Sequence, residues 1–397
     1  MIILFSILIA VIVVYAIQVR LYKKHGFEGI DYRVKLSARE VFEGDDIYLY
    51  EELTNAGRLP LPYAKVDTGL PDGMRFVLIE WDKKGSSKRR FSKYIRSMFV
   101  LKNNQTVRRR WRVNCTKRGV YKLGAVMLII NDIFGFNANS KLFTAVGDNT
   151  VVVLPRTMNL EEAFTSSYYR SGEISVLRSL FTDPMMVAGS REYTSYDPMN
   201  KIDWKSTAVH NRLMVRVEDH TQSRRFNIVL NMQSRDIEAD PTTPSVPETN
   251  ELCIKVAASL LDMVSAENIA VRVIANAPPK RLGVESVSED EIGHNILMTR
   301  PYSGKYDMIE ALRMLAALPM EISLPIEKLL DHMIQNPGFY ENGGNIILVS
   351  PYISERMINF HSLMKQQGIR VVFYITSTNQ NALMIPDDVE VHFRVYA

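Results

Sequence analysis

The sequence predicts an α+β multidomain chain: an N-terminal transmembrane helix, an antiparallel β-sandwich, and then an α/β domain on a mainly parallel sheet. Three observations predict it. The chain opens on an apolar run, short alternating runs with turn residues fill about 31–155, and past Arg225 continuous apolar strands alternate with helical periods. At roughly 150 residues per domain, 397 residues leave room for two to three cores. With 46% hydrophobic and 23% charged residues, the chain is neither disordered, nor fibrous, nor a polytopic transporter. The net charge, 48 − 44 = +4, is too small to make the whole chain a nucleic-acid binder, so any such signal is local. Cys115 and Cys253 stand far apart with no CxxC or Cys/His cluster, which argues against a zinc site or a disulfide framework and for two free thiols in a reducing compartment.

In order along the chain, Met1 to Ile17 is apolar except for Ser6, and the run continues to Val19. As a helix these residues reach about 28 Å, enough to cross a bilayer. A secretory signal would carry basic residues before the run and a small-residue cleavage site after it, and neither is present. Arg20, Lys23, Lys24 and His25 follow the run instead, so the positive-inside rule places the bulk of the chain in the cytoplasm. The domain limits read from the sequence are 1–19 for the membrane helix, 30–155 for the sandwich, 156–225 for a connecting segment and 226–397 for the α/β domain.

Strands of the sandwich are expected over 32–36, 47–53, 64–68, 76–80, 107–113, 119–123 and 126–130. The 161–180 stretch reads as a helix. In the α/β domain the expected strands are 226–232, 269–275, 345–350, 370–376 and 389–395, with helices over 251–266, 307–318, 326–335 and 354–366. Ligands of such folds bind beyond the carboxyl ends of the strands. Residues 236–250, with Pro241, Pro244, Pro247 and four acids, read as a loop beside that edge.

The sequence holds no Gly-rich phosphate loop, HExxH or GxSxG after a strand, and its seven histidines are scattered. No catalytic residue, metal ligand or cofactor is assigned. One segment concentrates mixed chemistry: Arg191-Glu192-Tyr193, Asp197-Pro198, Ile202-Asp203-Trp204-Lys205 and Arg212-Leu213. Asp197 and Pro198 read as the start of a helix through about His210, with Trp204 anchoring it and Arg191, Glu192, Asp203, Lys205 and Arg212 forming an ion network. The segment is either an interdomain brace or a surface read by a partner. A second feature is electrostatic: the 36 residues 83–118 hold 14 lysines and arginines and no acid. There Arg108, Arg110 and Arg112 alternate with Arg109, Trp111 and Val113, so a strand projects one arginine stripe. Anionic lipid or an acidic protein partner, a merely solvated face, and nucleic acid stacked on Phe91, Tyr94 and Trp111 are its possible readings.

The motif series resembles the hallmark of the bacterial domain-of-unknown-function 58 family, whose members are membrane-anchored. Arg118-Gly119-Val120-Tyr121, Asp132-Ile133-Phe134-Gly135 and Val153-Leu154-Pro155-Arg156 look like further landmarks of that family, so the resemblance runs from about Gly44 onward. It implies a sandwich joined to a von Willebrand factor A-like (Rossmann-like) domain, and a role beside MoxR-type AAA+ ATPases in assembling or maturing other proteins. Metal-binding A domains end their first strand in Asp-x-Ser-x-Ser. The matching place here reads Asn231-Met232-Gln233-Ser234-Arg235, so no metal is expected. The resulting expectation is a non-enzymatic, single-span cell-membrane protein that presents a cytoplasmic interaction platform to an AAA+ ATPase. The rivals are a hydrolase with a site near 231–234 and Ser350, and a membrane-tethered nucleic-acid binder using 83–118.

Overall fold

The computed structural model describes residues 2–81, 87–144, 147, 149–166, 187–194, 199, 202–218, 225–234, 247–278, 295–336, 338, 345–377 and 385–394. They fall into two compact units, Met1–Arg156 and Thr157–Ala397.

The first unit opens on the helix Ile2–His25, whose 24 residues span about 36 Å. Its most apolar window has a mean hydropathy of 2.4 and is long and apolar enough to cross a membrane. The helix outruns the expected 1–19 because its last turns dock on the sandwich. Gln18 and Tyr22 are buried there, the Tyr22 hydroxyl donates to the Pro60 carbonyl at 2.7 Å, and Phe27 packs on Phe143.

The sandwich has a five-stranded antiparallel sheet in the order Ile30–Leu36, Asp46–Asn55, Gln105–Cys115, Met74–Trp81, Ser87–Ser92. A four-stranded antiparallel sheet follows the order Ala138–Thr144, Ala125–Asn131, Leu61–Gly69, Tyr94–Leu101. Alternation drives both: the burial of Asp46–Asn55 switches residue by residue, and Leu49 and Leu53 of one sheet share a core with Val66 and Leu128 of the other. A third sheet joins Glu40–Phe42, Thr150–Leu154 and Gly119–Lys122. All the expected strands form. The Tyr94–Leu101 strand was not foreseen because its outward residues Tyr94, Met98 and Val100 are themselves apolar, which hides the alternation.

A carboxylate bolts the two sheets together. Glu51 is fully buried; its Oε1 accepts from the hydroxyls of Tyr32 (3.1 Å) and Thr68 (2.7 Å), and its Oε2 from Ser97 Oγ (2.8 Å) and Trp111 Nε1 (2.7 Å). Tyr32 and Trp111 belong to one sheet, Thr68 and Ser97 to the other. Burial first, and the Glu51 charge second, push the Tyr32 phenol up.

The second unit is built on a seven-stranded sheet. Six of its strands, numbered along the chain from the unit's first parallel strand, are the first (Arg225–Leu230), second (Ala270–Ala275), third (Leu297–Met298), fourth (Asn345–Ser350), fifth (Val371–Ile375) and sixth (Glu390–Arg394). They lie side by side in the order third, second, first, fourth, fifth, sixth. Among these six, all neighbours are parallel except the short third strand, so the sheet is doubly wound with its switch point between the first and fourth strands. Helices Pro247–Ala266 and Gly304–Ala317 pack together, as do Ile326–Gln335 and Glu355–Gln366. The Pro247–Ala266 helix starts four residues before the expected 251, with Pro247 in its first turn, where a missing N–H costs nothing. Residues 236–246 of the expected loop lie outside the described residues.

The helix expected over 161–180 is corrected. Leu160–Ala163 makes one turn, capped by the Asn159 side chain, and Phe164–Ser166 then pairs antiparallel with the sixth strand. Phe164 is buried with its ring edge-on to Tyr374 at 5.4 Å, so a core contact turns the backbone extended where the helical period would have continued. Residues 167–180 lie outside the described residues.

Candidate functional site

The motif segment folds into a small module. Val187–Glu192 pairs antiparallel with Met214–Glu218, placing Arg191 opposite Val215 and Glu192 opposite Met214, and the Tyr193 N–H donates to the Leu213 carbonyl at 2.8 Å. Between these strands lies the helix Trp204–His210. Its N-cap is Asp203, whose Oδ1 accepts from the N–H groups of Lys205 (3.1 Å) and Ser206 (3.2 Å), while Oδ2 accepts from Ser206 Oγ at 2.8 Å. The expected start at Asp197 and Pro198 lies outside the described residues, and the described helix begins at Trp204. Such a cap stabilises the helix by about 1 kcal/mol. Asn211, at φ 53°, ends the helix in the left-handed conformation that asparagine tolerates. Two bonds pin the helix to the returning strand: the Asp203 N–H to the Met214 carbonyl (2.8 Å) and the Met214 N–H to Thr207 Oγ1 (3.0 Å). Ile202, bridged to Val215, is buried with Met214 and Val215.

Trp204 does not anchor this helix. Its side chain is 68% exposed, no residue of the helix is buried, and Met199, Val209 and Leu213 are exposed beside it in sequence. The anchoring falls to Ile202, one residue before the cap. Of the expected ion network, the described residues show Arg212 paired with Glu192 at 2.5 Å, with both side chains in solvent. Arg191 donates to the Glu192 carbonyl at 3.1 Å, Asp203 is spent on the helix terminus, and Lys205 is exposed. The module is therefore a hydrogen-bonded frame that exposes an indole and aliphatic side chains.

The edge of the parallel sheet is a buried amide network. Asn231 follows the first strand; its Nδ2 donates to Ser350 Oγ (3.0 Å), and its Oδ1 accepts from the Gln233 N–H (2.9 Å) and Asn276 Nδ2 (3.3 Å). Asn276 Oδ1 accepts from the Met232 N–H at 2.7 Å, Asn276 Nδ2 also reaches the Leu324 carbonyl at 3.1 Å, and Asn250 Nδ2 reaches the Met232 carbonyl at 2.7 Å. A divalent cation does not fit this donor set. Its oxygens belong to neutral amides and hydroxyls, and both of those on Asn231 and Asn276 already accept internal hydrogen bonds, so within this set of described residues no carboxylate balances a double positive charge. Among the described residues no group of three or more His, Cys, Asp or Glu side chains converges anywhere. Ser350 Oγ donates to the Tyr352 carbonyl at 2.6 Å, which commits its proton to an acceptor that is not a base. Asn250 and Asn276 were not singled out from the sequence. Asn276 sits directly after the second strand as Asn231 does after the first, and that parallel was the available signal.

Both thiols are buried. Cys253 lies 3.2 Å from Thr376 Oγ1, and burial pushes each thiol up to about 12. Neither Cys115 nor Cys253 is expected to be alkylated by iodoacetamide in the native protein at neutral pH, whereas both react after denaturation; intact mass measures the difference.

The arginine stripe forms on the outer face of the five-stranded sheet, but it is largely neutralised. Arg108 pairs with Glu52 and Arg112 with Asp46, each at 2.5 Å, and Arg110 stacks over Tyr48 at 4.7 Å. Trp111 points inward to Glu51 and is no stacking platform, although Phe91 and Tyr94 are exposed. The acids come from the neighbouring strand, 56 and 66 positions away in sequence, so a count over 83–118 alone overstates the free charge.

No family profile and no curated protein matches the chain. Solved structures do. An alpha-2-macroglobulin fragment from Escherichia coli aligns over 32% of this chain and 23% of its own at 12% identity and a TM-score of 0.23. The sporulation control protein Spo0M of Bacillus subtilis aligns over 31% and 50% at 10% identity and 0.18. A CARDB domain from Pyrococcus furiosus aligns over 33% and 98% at 17% identity and 0.19. The chain thus spans half or less of the first two structures, and likenesses at these scores carry no functional argument.

Proposed function

We propose that this chain is a single-span cell-membrane protein, without catalytic activity of its own, that presents the 187–218 module to a cytoplasmic partner, a MoxR-type AAA+ ATPase. The observation that carries the reading is Trp204: a large apolar side chain, 68% exposed, on a helix fixed by a side-chain cap and two bonds to a strand. Exposed aromatic side chains on rigid frames are the usual anchors of protein interfaces. The amide network supports a metal-free von Willebrand factor A-like domain, as does the doubly wound strand order. The Ile2–His25 helix and the basic residues at its end support the anchor and its orientation.

The test is a crosslinked pull-down of full-length protein from its own membranes, wild type against Trp204→Ala. The variant is expected to melt within about 1 kcal/mol of wild type, as exposed positions do, while losing the ATPase. Equal recovery of the ATPase by both forms would remove Trp204 as the docking residue.

A further inference from the structure

The hairpin that joins Ala125–Asn131 to Ala138–Thr144 turns through 132–137, and that turn lies against the N-terminal helix. Tyr15 meets it on three sides: its ring is 6.1 Å from Phe134 and 6.2 Å from Phe136, and its hydroxyl accepts from Asn137 Nδ2 at 2.7 Å. Tyr15 lies inside the apolar run, four residues and so about 6 Å along the axis before Val19. The tip beside it presents Ile133, Phe134 and Phe136 at 51%, 55% and 79% exposure. Three large exposed apolar side chains within four residues are not what a solvated turn of a soluble sandwich displays.

The turn is also built to leave water. Asp132, fully buried, donates its N–H to the Asn137 carbonyl (3.0 Å) and accepts from the Gly135 N–H at its carbonyl (3.0 Å). Its carboxylate accepts from the Phe136 N–H and from Asn137 Nδ2, each at 3.0 Å. Gly135, at φ 78°, supplies the left-handed residue that closes the loop without a side chain. Polar groups satisfied within the turn in this way lower the cost of bringing it against lipid. Between Phe134 and Phe136 on one side and Ile7, Val11 and Val14 on the other runs an apolar groove of about 730 Å³, which continues along the helix away from the sandwich. Arg20, Lys23 and Lys24 are exposed just past this level, where lipid phosphates would lie.

We propose that the 132–137 turn is a second membrane contact, seated among acyl chains just below the lipid headgroups beside the N-terminal helix, so that the sandwich is held to the bilayer at two points. The proposal rests on the reading of that helix as a membrane anchor. Two attachments fix the sandwich's tilt, whereas a lone helix would leave it free to swivel.

The experiment uses full-length protein in vesicles of phosphatidylcholine and phosphatidylglycerol with an environment-sensitive fluorophore at one introduced cysteine: Phe136→Cys in the turn, Ile12→Cys in the helix, or Tyr94→Cys at the opposite end of the same sheet. The buried native thiols provide an unlabelled background. Lipids spin-labelled near the headgroup are expected to quench the Phe136→Cys probe strongly, lipids spin-labelled deep in the chain to quench the Ile12→Cys probe, and neither to quench Tyr94→Cys. A quenched helix probe with an unquenched turn probe overturns the second contact and leaves the anchor standing. An unquenched helix probe overturns both. Quenching at all three positions contradicts a localised contact.

Discussion

Replacing Glu51 by alanine is expected to destabilise the sandwich by about 3–5 kcal/mol, read as a shift in chemical denaturation of the full-length protein in detergent. The carboxylate takes four hydrogen bonds from neutral donors on both sheets, and alanine strands all four in a core with no water access. Three of the donors are hydroxyls that can rotate; the Trp111 indole cannot, since its N–H only donates. That asymmetry predicts a second result. Glu51→Gln is expected to lose about 1 kcal/mol or less per altered bond, because its amide oxygen can face Trp111 and Ser97 while its NH₂ group donates to the Thr68 and Tyr32 hydroxyls. A glutamine as damaging as alanine would mean that the negative charge, not the bonding pattern, holds the sheets together.

Replacing Asn276 by alanine is expected to cost about 2–4 kcal/mol, because the Met232 N–H and the Leu324 carbonyl are both left buried and unpaired. Asn276→Asp separates shape from chemistry. It keeps an acceptor for the Met232 N–H but turns an oxygen toward the Leu324 carbonyl and the Asn231 amide oxygen, two acceptors, so the folded protein favours the protonated acid. With its folded-state pKa raised above the unfolded value of about 3.9, the variant binds more protons folded than unfolded. Its penalty therefore grows as pH rises from about 4, by up to about 1.4 kcal/mol per pH unit, until the folded-state pKa is passed. Denaturation curves at a series of pH values measure this; a penalty independent of pH would place the side chain in contact with solvent.

These two sites show what was legible in the sequence and what was not. The elements of the parallel sheet read well, with 326–335 and 345–350 matched to the residue, because continuous apolar runs between helical periods have few other solutions. Glu51 did not read at all: an acid in an alternating strand looks like an outward residue, and its four partners come from four different strands. The arginine stripe was legible as a stripe, but Glu52 and Asp46, which neutralise it, are brought alongside only by the pairing of Asp46–Asn55 with Gln105–Cys115. In the motif segment, the residue types were legible and their roles were misplaced. The cap was expected at Asp197, which lies outside the described residues; Asp203 caps the helix Trp204–His210, directly after the backbone pairing of Ile202 with Val215.

The claim that Trp204 is presented to a partner is tested most directly by placing a photocrosslinking amino acid at position 204 in the full-length protein and irradiating intact cells. The account predicts a covalent adduct between this chain and an AAA+ ATPase, abolished when the crosslinker is moved to the buried position 202. An adduct confined to the chain itself, with none to another protein, would contradict it and make the 187–218 module an internal brace.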